Sequence, residues 1–238
     1  MSENLFDVGK KSRKTAQESG GYRLHRMFTT EGTDPLDDVK YVKRDSVITE
    51  PDGSVVFEMR GVEVPEQWSQ LATDIVVSKY FRKAGVPGTG HEVSVKQVIS
   101  RIVDTIADFG REHGYFSGPR EAQIFRDELA YMLVNQMGAF NSPVWFNVGL
   151  STKYGIRGSA GNFAWNFEKG EVEEIEDSYV RPQASACYIQ SVEDDLMSIF
   201  ELAKSEARLF KYGSGTGTNF SAIRGKQEKL SGGGTSSG

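Results

Sequence analysis

The sequence predicts an α/β protein, a largely helical stretch followed by alternating strand and helix. Three observations carry this. Residues Gln183-Ala184-Ser185-Ala186-Cys187-Tyr188-Ile189-Gln190 read as a strand. Between Asp194 and Tyr212, Leu196, Ile199, Phe200, Ala203, Ala207 and Phe210 recur at helical spacing. With a further strand expected at 219–223, they make a strand–helix–strand unit. Upstream, residues 65–137 carry three successive helical periods.

Taken in order, residues 1–38 are polar and read as a flexible extension, with Lys10, Lys11, Arg13 and Lys14 near its start. Residues 39–64 read as a hairpin, because Asp52-Gly53 is a strong turn signal ahead of Val55-Val56-Phe57. Pro65 is expected to open a helix, where its missing N–H costs nothing. Trp68, Leu71, Ile75, Val76 and Tyr80 continue that period through Lys83. A second helix is expected from Val93 to His113, with Val95, Val98, Ile99, Ile102, Val103 and Ile106 on one face and Gly114 to end it. A third starts near Pro119. Asn141-Ser142-Pro143-Val144-Trp145-Phe146-Asn147-Val148-Gly149 reads as a turn and a short strand, and residues 150–182 as mainly loop. The implied division is an extension (1–38), a hairpin-plus-helical domain (39–137) and the start of an α/β domain (138–238).

Composition narrows the function. At 238 residues, 38% hydrophobic and 26% charged, the chain can bury a core. A net charge of -5 argues against a protein that coats nucleic acid. One cysteine, Cys187, precludes an internal disulfide and suits a reducing cytoplasm. No apolar run is long enough to span a membrane. His25, His91 and His113 lack metal-ligand spacing.

Two features could carry chemistry. In Gly213-Ser214-Gly215-Thr216-Gly217-Thr218-Asn219, alternate glycines expose backbone N–H groups that could cradle an anion. The same pattern also suits a helix cap followed by a turn. It follows a helix, so it is not a dinucleotide fingerprint, and Gly225-Lys226 lacks the rest of a P-loop. Cys187 is either a small core residue or a thiol given room by Ser185 and Ala186. Glu193, Asp194 and Asp195 suit a helix start, where carboxylates meet free N–H groups, although Asp194 could equally hold a ribose. Arg224 could pair with a phosphate.

Several of these segments resemble the cobalamin-dependent (class II) ribonucleotide reductases. They are Phe140 to Gly149, Ser185-Ala186-Cys187-Tyr188-Ile189, Glu206 to Ser221, and Val64 to Phe81. The resemblance covers roughly residues 40–238. It implies a helical region followed by the first strands of a ten-stranded α/β barrel, incomplete here. It implies reduction of a ribonucleotide by thiyl-radical chemistry, with adenosylcobalamin as cofactor in the complete enzyme and a thioredoxin-like or dithiol reductant. Cys187 falls on one member of the reducing thiol pair. Ser142, Ser185, Ala186 and Gly215 fall on substrate contacts, and Asp194 and Arg224 on contacts to a deoxynucleotide effector. A second basic effector residue of some relatives falls here on Ser231.

The radical-bearing cysteine, the second reducing thiol and the rest of the finger loop would lie beyond Gly238. The isolated chain is therefore expected to give no turnover. A downstream half or a homodimer partner is expected, with exposed apolar surface where the barrel stays open. The alternatives are a reductase of another class, a free-standing nucleotide-binding regulatory module, and a non-catalytic interaction protein in which Cys187 is core.

Overall fold

The computed structural model describes residues 20–230 and 232–237. Lys10, Lys11, Arg13, Lys14 and Ser231 lie outside the described residues. The described residues fall into two compact units. One comprises the segments up to Asp74 and Val93–Ala139, the other Ile75–Glu92 and everything from Phe140 onward.

In the first unit, β1 (Tyr41–Thr49) and β2 (Val55–Pro65) pair antiparallel around the expected turn. Gly53 takes a φ of +86°, open to a residue without a Cβ. The helix expected at Pro65 begins later, as α1 (Gln70–Ile75). Pro65 instead ends the hairpin, opposite Tyr41, and the Glu66 N–H donates to the Lys40 carbonyl at 2.9 Å. Ser69 is the residue that starts the helix, its hydroxyl accepting from the Ala72 N–H at 3.1 Å.

Two long helices complete this unit, α2 (Val95–Glu112) and α3 (Pro119–Val134). Ser94 and Gln97 form a reciprocal cap at the start of α2. Val95, Val98, Ile99, Ile102 and Val103 are fully buried, against Val62 and Val64 of β2 and Ile124, Ala130 and Val134 of α3. Each such aliphatic contributes roughly 1.5–3 kcal/mol of burial free energy. The Trp68 indole N–H donates to the Val134 carbonyl at 2.7 Å, satisfying an acceptor that the end of α3 leaves open.

Residues 20–38 carry no helix or strand, but they are held to α3. The Glu128 carboxylate accepts from the amides of Met27, Phe28 and Thr29 and from the Thr29 hydroxyl at 2.6 Å. Phe28 stacks on Tyr131 at 5.4 Å.

In the second unit, Val76–Tyr80 continues α1 as a π-helical turn, closed by the Phe81 N–H donating to the Val76 carbonyl. The strand expected within 144–149 is a helix, α4 (Ser142–Asn147). A short apolar run is ambiguous by periodicity. Pro143 in the first turn and the burial of Val144, Trp145 and Val148 resolve it. The stretch expected to be loop contains α5 (Leu150–Tyr154) and a hairpin, β3 (Asn162–Asn166) with β4 (Glu171–Ile175). Glu92, fully buried, accepts from the Tyr154 hydroxyl at 2.8 Å and from the Arg82 amide at 2.6 Å.

The chain ends in β5 (Cys187–Ser191), α6 (Leu196–Lys211) and β6 (Gly215–Asn219), with β5 and β6 parallel. The strand expected at 219–223 is misplaced. The glycine-rich segment is itself the strand, and Phe220–Ile223 turns away from it. Among the described residues the strands form three two-stranded sheets, none closed into a barrel. The apolar stripe of α6 is largely open: Leu196, Phe200 and Phe210 are exposed, whereas Leu202 is buried. No helix among the described residues is long and apolar enough to cross a membrane.

Burial alone would raise the Glu128 carboxyl. The Thr29 hydroxyl and the three amides outweigh it and hold the group below its ordinary value of 4.5. A carboxyl depressed in the folded state stabilises above its unfolded pKa, and that contribution is lost as pH falls through the folded value. Glu128→Gln at neutral pH should therefore speed amide exchange at Met27, Phe28 and Thr29 by about tenfold. In the parent chain the same amides should lose protection on acidification below 4.5. Exchange unchanged in both experiments would refute the clip.

Candidate functional site

Cys187 opens β5, and its register partner across the parallel pair is Gly215. Alternation along paired strands gives this sheet two unlike faces. On one, the Thr216 and Thr218 hydroxyls both donate to the Glu206 carboxylate of α6, at 2.9 and 3.0 Å. In register with them, Tyr188 and Gln190 of β5 are half-buried. On the other face stand Cys187, Ile189, Gly215 and Gly217, with no helix over them among the described residues. Cys187 is exposed, and Ile189 is 86% exposed. Cys187 is thus a strand-held, accessible thiol rather than core.

Bare backbone beside the thiol keeps this face open. A Cβ on Gly217 would touch the Ile189 side chain at 3.4 Å. Gly213, with a φ of +84°, ends α6 and turns the chain into β6. The Ser214 hydroxyl donates to the Ser185 carbonyl at 2.7 Å, and the Gly215 N–H donates to the Ala186 carbonyl. The amide of Gly215 is therefore committed to the strand ladder and cannot serve the anion cradle considered for this segment. Gln183 braces the approach to β5, donating to the Ser185 carbonyl and the Tyr188 hydroxyl. The Asn147 amide of α4 donates to the Gln183 carbonyl at 3.2 Å. Phe146, Asn147, Ser178, Gln183 and Gly213 help line a cavity of about 220 Å3 here.

Four of the expected site residues, Ser185, Ala186, Cys187 and Gly215, therefore share one strand edge. Ser142 lies in the first turn of α4, with its hydroxyl 3.1 Å from the Tyr80 hydroxyl. Asp194 and Arg224 meet elsewhere. The Arg224 Nε donates to the Asp194 carboxylate at 2.6 Å, and Nη2 donates to the Asp194 carbonyl at 3.3 Å. They border a cavity of about 290 Å3 with Ile199, Ile223 and Ser236. Of the three acidic residues at the helix start, Asp195 is the cap, its carboxylate accepting from the Ser198 N–H at 3.0 Å. Sequence reasoning gave no role to Glu206, Asn147, Gln183 or Tyr80. Only Glu206 left a signal, as a carboxylate followed by two alternate threonines.

The arrangement is an α/β unit in which a helix covers one side of a parallel strand pair and a thiol stands on the other. The comparisons make the class specific. Residues 42–136 match the family described as class II vitamin B12-dependent ribonucleotide reductase, and residues 185–238 match the ribonucleotide reductase barrel domain. The vitamin B12-dependent ribonucleotide reductase of Rhodopirellula baltica is 46% identical over 222 residues, covering 93% of this chain and 21% of that protein. The Agrobacterium fabrum protein of the same name is 44% identical, covering 91% of this chain and 20% of its own length. That of Streptomyces coelicolor is 44% identical, covering 100% and 22%. The chain belongs to the class II, vitamin B12-dependent ribonucleotide reductases. It spans about one fifth of the length of the curated relatives it matches.

The residues present do not by themselves build a corrin site. The cavity lined by Phe146, Asn147, Gln183 and Gly213, at about 220 Å3, is too small for that macrocycle. His25 is exposed, and His113 is engaged with Phe109 through a 2.8 Å contact to its carbonyl. Among the described residues no group of three or more His, Cys, Asp or Glu side chains could hold a metal ion.

An exposed strand thiol should react without unfolding. A disulfide reagent such as dithionitrobenzoate should titrate one thiol per native chain, at a rate close to that in denaturant. Reaction only after denaturation would show Cys187 to be core.

Proposed function

We propose that this chain is the N-terminal portion of a reductase that converts ribonucleotides to 2′-deoxyribonucleotides for DNA synthesis by thiyl-radical chemistry. The supporting observation is the position of Cys187, exposed on the uncovered face of β5 opposite Gly215. In an α/β barrel, helices lie outside and the other face of the strands lines the interior. On this reading β5 and β6 are the first strands of a ten-stranded barrel. It follows an extension (1–38) and a helical domain (39–137), and Cys187 points into its interior.

The balance of the reaction assigns the thiol its role. The ribose 2′-hydroxyl leaves as water and a hydrogen replaces it at C2′, while two thiols supply the two protons and two electrons and become a disulfide. Cys187 is one of them. The chain has a single cysteine, so the second thiol comes from outside residues 1–238. A thioredoxin-like protein or a small dithiol then reduces the disulfide. The family's vitamin B12 dependence supports adenosylcobalamin as the radical source of the complete enzyme. Ser142, the backbone of Ser185 and Ala186, and Gly215 contact the substrate.

Asp194 and Arg224 form the site for an allosteric deoxynucleotide effector. Their present ion pair supports this, because a phosphate can replace the Asp194 carboxylate on the guanidinium while Asp194 turns to a sugar hydroxyl. The exposed apolar stripe of α6, Leu196, Phe200 and Phe210, supports association with a second copy. The reading places the enzyme in the cytoplasm, with no role in nucleic-acid binding.

Two experiments on the complete reductase containing this segment test the proposal. Cys187→Ser should lower multiple-turnover reduction with a dithiol by at least about 100-fold, and full activity would remove Cys187 from the redox pair. Arg224→Ala should weaken deoxynucleoside triphosphate binding by about tenfold or more in calorimetric titration, and unchanged affinity would remove the effector site from this surface.

A further inference from the structure

We propose that Tyr80 is a positioning residue for Ser142, fixing its hydroxyl so that the serine proton is presented to a substrate oxygen. The inference rests on the reading of Ser142 as a substrate contact.

The geometry begins with the π-helical turn. Its closing bond spans five residues, from the Phe81 N–H to the Val76 carbonyl at 3.0 Å. One extra residue in a turn rotates everything after it by roughly 100° about the axis. Such turns are uncommon and occur frequently at functional sites. Here Val76, Val77 and Phe81 are buried, while the Tyr80 ring lies against α4. It contacts Trp145 at 5.9 Å and Phe146 at 5.3 Å. Trp145 is itself anchored, its indole N–H donating to the Phe140 carbonyl at 2.9 Å. The Tyr80 ring is therefore held by α4, the helix that carries Ser142.

That ring brings its hydroxyl to 3.1 Å from the Ser142 Oγ. A serine hydroxyl in a first helical turn has several staggered positions and a freely rotating proton. A phenol is the stronger acid of the two and so the better donor. With Tyr80 donating to the Ser142 Oγ, the serine proton points away from the tyrosine and is left for another acceptor, which on the substrate-contact reading is a substrate oxygen. A phenylalanine at position 80 would keep the ring packing and lose the bond.

The test uses the complete reductase containing this segment, with Tyr80→Phe, Ser142→Ala and the double variant. Steady-state KM and kcat are measured for the ribonucleotide, together with the thermal midpoint. Each single variant should raise KM by about five- to tenfold, with kcat within twofold and the midpoint unchanged. The double variant should be no worse than Ser142→Ala, because both act through one hydroxyl. If Ser142→Ala raises KM but Tyr80→Phe does not, or if the two effects multiply, Tyr80 does not position Ser142. A Tyr80→Phe enzyme with a lowered midpoint and an unchanged KM would show a packing role and overturn the inference. An unchanged KM for Ser142→Ala would refute the substrate contact itself, a separate outcome.

Discussion

The double acceptance by Glu206 is the interaction on which the thiol face depends. One carboxylate on α6 takes the hydroxyls of Thr216 and Thr218, two residues apart on β6. Residues two apart on a strand share a face, so this contact decides which side of the sheet the helix covers. The parallel register carries that decision across to β5, where Tyr188 and Gln190 lie on the helix side and Cys187 and Ile189 on the other. A one-residue slip of β6 would turn the glycines toward the helix and the threonines toward the thiol.

The same alternation explains the glycines. Gly215 and Gly217 lie on the thiol's side, so the surface beside Cys187 is largely backbone. The Gly215 amide is spent on the Ala186 carbonyl, so it is not free for an anion. The proposed reduction of a sugar by a strand-borne thiol would need such room, because the substrate must come within bonding reach of sulfur. Chain braces converge on the same edge. Ser214 and Gln183 both hold the Ser185 carbonyl, and Asn147 ties Gln183 to α4.

The effector reading has a different physical basis. Asp194 does not cap α6, a task taken by Asp195, and is thereby left to pair with Arg224, thirty residues on. The pair is partly exposed, with side chains 33% and 40% accessible, so it adds little stability. A weak, accessible ion pair beside a cavity can exchange partners with a charged ligand at low cost.

Local chemistry decided much of this in the sequence itself. The Asp52-Gly53 turn, the apolar face of α2, Pro119 at the start of α3 and the helical period of α6 are all short-range signals, and these elements form where expected, to within a residue or two. The family was legible too, in the runs around Ser142, Cys187 and Gly215. Other features were set by partners distant in the chain. Pro65 ends a strand because Tyr41 and Lys40 continue the ladder past it. The run after Ser142 is a helix because Val144, Trp145 and Val148 bury together. The glycine segment is a strand because β5 supplies its hydrogen bonds, which no glycine-rich sequence encodes by propensity. Exposure of Cys187 and the approach of Tyr80 to Ser142 belong to the same class. A side chain's spacing says which face it shares, but only the packed neighbours say whether that face is covered.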